Sequence, residues 1–151
     1  MAPRMILSFD PGGTSGYARF YLRDPNERYS IRDPVGWTGG QLGPGKHHKQ
    51  LWGLLSKEAP DWVVCEDFNY EPGHDKVELI SRDYIGIIEL YCELTNTRLY
   101  MQPRSCKDMA WLTAPKLKML KLYKPGQPHR NHATRHLIWH LVQTINRKEN
   151  M

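Results

Sequence analysis

Hydrophobic residues along this chain fall into short segments whose spacing separates strands from helices. Residues 4–10, RMILSFD, form an apolar run that stops on one carboxylate, Asp10, and predicts a strand. Residues 15–22, SGYARFYL, alternate Tyr17, Arg19 and Tyr21 with Ala18, Phe20 and Leu22, the two-residue period of a second strand. Gly12, Gly13 and Gly16 separate the two, which predicts a hairpin. Residues 29–38 read as a third strand, put at a sheet edge by Pro34. Leu51, Leu54 and Leu55 have helical spacing in a segment that Pro60 stops. Residues 61–67, DWVVCED, are another short apolar strand ending in acids. From 75 to 95, Val77, Ile80, Tyr84, Ile87, Ile88, Tyr91 and Leu94 make the longest helical pattern of the chain. TRLYMQ, 97–102, is a last strand, and a short helix is expected from Pro103. Residues 115–128, basic and broken by Pro and Gly, read as a mobile loop, and 129–147 as a closing helix.

The order β-β-β-α-β-α-β-α predicts an α/β fold, a mixed five-stranded sheet flanked by helices. With no internal repeat, 151 residues suit a single domain, 1–151, with a basic loop around 113–128. The 75–95 helix has more apolar residues than one face needs. Ile80, Tyr84, Ile87, Ile88 and Tyr91 suffice for a core side, and Leu79 and Ile85 are left for an interface, so a homodimer is expected.

Charge adds a partner to this picture. Residues 101–151 hold ten Lys or Arg against Asp108 and Glu149, a net +8, whereas the first hundred residues carry −3. A basic third beside a mildly acidic remainder points to a polyanion. The chain has no run of 18 apolar residues, and MAPRMILSFD reaches a charge too soon for a secretory signal. Cys65, Cys92 and Cys106 fit no CxxC pattern and cannot all pair, so reduced thiols and a cytoplasmic location are expected, without membrane association.

The chemistry is concentrated at strand ends. Asp10 and one of Glu66 or Asp67 close two apolar strands distant in sequence. If those strands are parallel neighbours, their carboxylates meet at the edge where α/β sheets place ligands. Two carboxylates ~4 Å apart repel by about 4 kcal/mol at an effective dielectric near 20. Such a pair persists when a cation lies between its members or one of them is protonated. Oxygen donors favour Mg²⁺ or Mn²⁺. Strand alternation lets only one of Glu66 and Asp67 face Asp10, and spacing leaves the choice open. Asp10 before Pro11-Gly12 also has the form of a turn start. DPGGTSG is not a P-loop, because no Lys-Ser/Thr follows it.

The closing helix carries His129, His132, His136 and His140 within an arc of about 80° at about 100° per residue. Leu137, Ile138, Leu141, Val142 and Ile145 occupy the opposite side, so His136 and His140 are expected to be exposed or to face DNA. His129 and His132, at the helix start, are placed to reach a strand edge.

Taken in order, these segments resemble the RuvC-like Holliday junction resolvases of the bacteriophage type, within the RNase H-like superfamily. ILSFDPGGTSGYA resembles the family's first strand with its metal-binding Asp, which is Asp10 here. WVVCEDF resembles the strand that supplies the metal-binding Glu and selects Glu66 over Asp67. YMQPRSCKDMAW resembles the strand, proline and lysine-bearing helix before a DNA-contacting segment, with Lys107 as the lysine. HRNHATRHLIWHLV resembles the last helix, but His132 and His129 stand where the family places an acid before Ala and an acid or His three residues earlier.

The resemblance implies an RNase H-like domain that hydrolyses phosphodiesters in four-way junctions, with flaps and single strands as further substrates. It implies one or two Mg²⁺ or Mn²⁺ ions and products with 5′-phosphate and 3′-hydroxyl ends. Asp10, Glu66, His129 and His132 would be the catalytic and metal-binding set. His ligation would favour Mn²⁺, and either His129 or His132 could instead shuttle a proton. If Asn131 served as a neutral helper, the second metal would be held weakly. Arg104, Lys107, Lys116, Lys118 and Lys121 would bind phosphates, and Phe68 and Tyr70 would stack on an unpaired base. If phage-encoded, the protein would act in an infected bacterial cell. Three rivals share parts of this reading: a sugar-kinase-type ATPase fragment, a DNA-binding module without activity, and a less selective nuclease. The first needs a second glycine-rich phosphate loop, which the chain lacks, so no nucleotide cofactor is expected.

Overall fold

The computed structural model describes residues 4–21, 36–67, 76–103 and 109–149. Its elements are β1 (Met5–Asp10), β2 (Ser15–Tyr21), β3 (Trp37–Leu42), α1 (His48–Glu58), β4 (Trp62–Glu66), α2 (Lys76–Thr95), β5 (Arg98–Gln102), α3 (Ala114–Met119) and α4 (Pro128–Glu149). They build one five-stranded mixed sheet in the order β3-β2-β1-β4-β5. β1 pairs antiparallel with β2 and parallel with β4, and β4 pairs parallel with β5. β1 is central and covered on both faces, which is why MILSFD is apolar at nearly every position rather than alternating.

Parity along the strands sorts the core into two layers. Met5, Leu7, Phe9, Val63 and Cys65 pack with Leu51 and Leu55 of α1 and Tyr84, Ile85 and Ile88 of α2. Ile6, Ala18, Phe20 and Val64 pack on the opposite face with Ala133, Leu137 and Leu141 of α4. Asp10 has the parity of Ile6 and Glu66 that of Val64, so both carboxylates project toward α4. Asp61 fixes the other end of β1, its Oδ2 accepting the backbone N–H groups of Arg4 and Met5 at 2.8 and 2.9 Å.

Several expectations need correction. The third strand is an edge strand, but it runs over Trp37–Leu42 rather than 29–38; residues 22–35 lie outside the described ones. The segment expected as a mobile basic loop contains α3. Thr113 caps that helix, Pro115 sits in its first turn, and Leu117 and Leu122 are buried against Ile138 of α4. Two leucines spaced across a turn were hidden by the surrounding lysines. In α2, Ile85 is core and Ile80 is exposed, the reverse of the expectation. Leu79, Ile80, Leu90 and Leu94 lie exposed along this helix.

Candidate active site

Register brings the two acidic strand ends together. Phe9 is level with Cys65 across the parallel β1–β4 pair, so Asp10 and Glu66 are neighbours at the same edge. Their carboxyl groups are close enough to share a hydrogen bond. Asp67 lies on the other parity, and its backbone N–H donates to the Gln102 carbonyl at 2.6 Å. Glu66 is therefore the partner of Asp10.

α4 closes over this pair because β2 gives it room. A Cβ at Gly16 would overlap the His129 carbonyl and the Arg130 backbone nitrogen. Gln41 of β3 fixes the same helix start, its Oε1 accepting the His129 backbone N–H at 3.0 Å. The result sets His129 Nδ1 3.1 Å from Asp10 Oδ2. A Gly16→Ala variant should lose about 1–3 kcal/mol of stability, the usual cost of overpacking. It should also move His129 away from Asp10. A urea midpoint equal to the parent's would refute this close approach.

His136 and His140 correct the sequence reading, for both are buried, at 2% and 6% exposure. The helix has three covered sectors, not one: the sheet, the α3 arm, and the strand ends under the histidine stripe. His136 Nε2 lies 3.3 Å from Glu66 Oε2, and its Nδ1–H donates to Gln102 Oε1 at 2.8 Å. His140 joins Trp62 and Tyr100 in a cluster of three mutually touching rings. Asn131 does not face the carboxylates. Its side chain accepts from the Lys124 N–H at 2.9 Å and donates to the Lys124 carbonyl at 3.0 Å, clamping the arm to α4.

The electrostatics follow from this crowding. Burial first, then the adjacent Glu66 carboxyl, pushes Asp10 up from 3.8 to about 7; His129 and His132 oppose the rise. Burial pushes His136 down to about 4, with Arg135 adding to the effect and Asp10 opposing it. His132 is lowered as well, mainly by burial, although its outer edge is open to solvent. The rim is thus one of lone pairs short of positive charge. Asp10 gives up its proton only around neutrality, and His136, with Nδ1 donating to Gln102, turns its other nitrogen toward Glu66.

That donor set fits a divalent cation: two carboxylates with imidazoles on either side, and a proton on Asp10 that a metal would displace. Among the described residues no three His, Cys, Asp or Glu side chains converge as a finished metal cage. The donors meet in pairs: His129 with Asp10, Asp10 with Glu66, and Glu66 with His136.

The remaining expected site residues are placed less centrally. Lys116 is half-buried, and Lys118 and Lys121 are exposed on the arm beside α4. Arg104, Lys107, Phe68 and Tyr70 lie outside the described residues, as does most of the short helix expected from Pro103. Gln41 and Gln102 are absent from the sequence expectations, and His136 is expected there to be exposed or to face DNA, not to meet Glu66. The available signal was that Gln102 ends a strand, as Asp10 and Glu66 do, and that His136 follows His132 by one helical turn.

A five-stranded mixed sheet in this order, flanked by helices, is the RNase H-like α/β fold. Within it the chain has the fold of RuvC. It is similar to Thermus thermophilus RuvC in complex with a Holliday junction substrate, with 13% identity, a TM-score of 0.60, and 88% of this chain and 90% of that one covered. A second Thermus thermophilus RuvC structure gives 14% identity, a TM-score of 0.53, and coverage of 87% and 90%. No family model and no curated protein sequence matches the chain.

Proposed function

We propose that this protein is a metal-dependent endonuclease of the compact bacteriophage type that resolves Holliday junctions and related branched DNA in the cytoplasm of the infected cell. The observation that carries the reading is the Asp10–Glu66 pair, half-buried side by side at the sheet edge under an imidazole-bearing helix. A repelling pair of this kind is what a hard cation requires, and the RuvC neighbour with this fold is complexed with a Holliday junction substrate.

Asp10 and Glu66 would supply oxygen donors, and His129 and His132 nitrogen donors, to Mg²⁺ or Mn²⁺. Held by these residues, the metal would supply Lewis acidity that lowers the pKa of a water and offsets charge on the departing 3′ oxygen. The P–O3′ bond breaks, leaving 5′-phosphate and 3′-hydroxyl ends. In place of ligation, His129 or His132 would accept the proton of the attacking water. Imidazole ligation favours Mn²⁺ over Mg²⁺. Lys116, Lys118 and Lys121, with Arg104 and Lys107, would hold backbone phosphates, and Phe68 and Tyr70 would stack on a base at the crossover. The exposed Leu79, Ile80, Leu90 and Leu94 of α2 suit a two-fold dimer, which presents two sites to the two equivalent strands of a junction.

A synthetic four-way junction, a flap and single strands, each offered with Mg²⁺ and then Mn²⁺, test the proposal. Paired nicks in the junction, faster with Mn²⁺, are expected. Equal cutting of all substrates would favour a less selective nuclease of the same fold, and no cutting a DNA-binding module.

A further inference from the structure

A cationic cleft lies between the β3 edge, the arm and the start of α4. The cleft, of about 160 Å³, is lined by Lys121, Lys124 and Arg130 together with Thr38, Trp37 and Tyr123. Among the described residues no carboxylate is ion-paired with any of its three cations. The indole N–H of Trp37 is buried without a hydrogen-bond partner. Lys121 and Lys124 are exposed and Arg130 is half-buried, so the cleft presents positive charge to solvent.

The backbone holds the cations there. Lys121 adopts the left-handed conformation, with φ of 61°, directly after α3. Its N–H donates to the Lys118 carbonyl at 3.0 Å, and the next N–H, of buried Leu122, to Leu117 at 2.9 Å. The Asn131 clamp fixes Lys124 through both of its backbone groups. Arg130 lies across Gly39 of β3, where a Cβ would come within 3.2 Å of its Nε. The Schellman-type end of α3 and the asparagine clamp thus hold the arm, and Lys121 and Lys124 with it, beside Arg130 at the β3 edge.

We infer that this cleft binds a backbone phosphate of the nucleic acid other than the one being cut. Thr38 is level with Arg19, and Arg19 with Leu7, three residues before Asp10. At ~3.3 Å per residue and about 4.8 Å per strand, the cleft is roughly 14 Å from Asp10. That is on the order of four nucleotides of rise along a strand, so the two sites engage different phosphates of one substrate. The inference rests on the nuclease reading and adds that the DNA runs over the start of α4 to the β3 edge.

Affinity for a labelled four-way junction, measured across a salt series in an Asp10→Asn background, tests it. Lys124→Gln and Arg130→Gln should each weaken binding at moderate salt and flatten the salt dependence by about 0.9 in slope per lost contact. Lys124→Gln replaces an exposed side chain and leaves the clamp intact, so it stands even if the arginine variant unfolds. Arg130→Lys should keep the slope. Variants that bind with the parent's slope overturn the second phosphate site while leaving the nuclease reading in place. A parent protein that binds no junction at any salt overturns both, and does so before any variant is made.

Discussion

Asp10→Asn is expected to stop junction cleavage while junction binding persists. The substitution keeps the shape and one acceptor oxygen but removes the charge that a divalent cation needs. Metal stabilisation of the transition state is worth several kcal/mol. At 1.36 kcal/mol per factor of ten, its loss slows the chemical step by about three orders of magnitude. Binding depends on lysines and arginines elsewhere and should remain within a few-fold of the parent. Single-turnover cleavage beside a binding titration separates the two. Cleavage retained within ten-fold of the parent would remove Asp10 from the mechanism.

The same substitution should make the metal-free protein more stable at alkaline pH. Asp10 is raised from 3.8 to about 7, so the folded chain binds this proton more tightly than the unfolded one. The resulting stability is fully present below about 3.8 and is lost as pH rises through about 7. His136 runs the other way. Lowered to about 4, it adds stability as pH climbs from about 4 to its ordinary 6.5. The two opposing trends offset one another between pH 4 and 6.5, and the Asp10 loss stands alone just above. At 1.36 kcal/mol per unit, the ionised pair costs on the order of 4 kcal/mol at pH 8. Asp10→Asn should recover much of that in chelator at pH 8 and almost none at pH 4, as read by urea unfolding. A variant less stable than the parent at pH 8 would mean that the carboxylates are already compensated. Sites arranged for a ligand commonly carry such a cost.

Much of this arrangement could be read in the chain itself. Unbroken apolar runs marked β1 and β4 as interior strands, and their acidic ends marked one edge of the sheet. What the runs could not give was parity: VVC in β4 offers no alternation, so spacing alone leaves Glu66 and Asp67 equivalent, the resemblance selects Glu66, and Val64 packed on α4 supplies the physical reason. The closing helix was misread for a related reason. A helix pressed between a sheet and an arm has no bare face, so the polarity of His136 and His140 did not mean exposure. The arm was missed because two buried leucines, Leu117 and Leu122, are few against four lysines. Gln41 and Gln102 act through contacts between residues far apart in sequence, 88 apart for Gln41 and His129 and 34 for Gln102 and His136, which no local pattern reveals.

Titration of Mn²⁺ into the DNA-free protein, followed by the loss of the free-ion electron paramagnetic resonance signal, addresses the carboxylate pair most directly. The parent should take up the ion, and Glu66→Gln and Asp10→Asn should each abolish or severely weaken uptake while remaining folded. Uptake by both variants as tight as the parent's would show that Asp10 and Glu66 do not hold the cation.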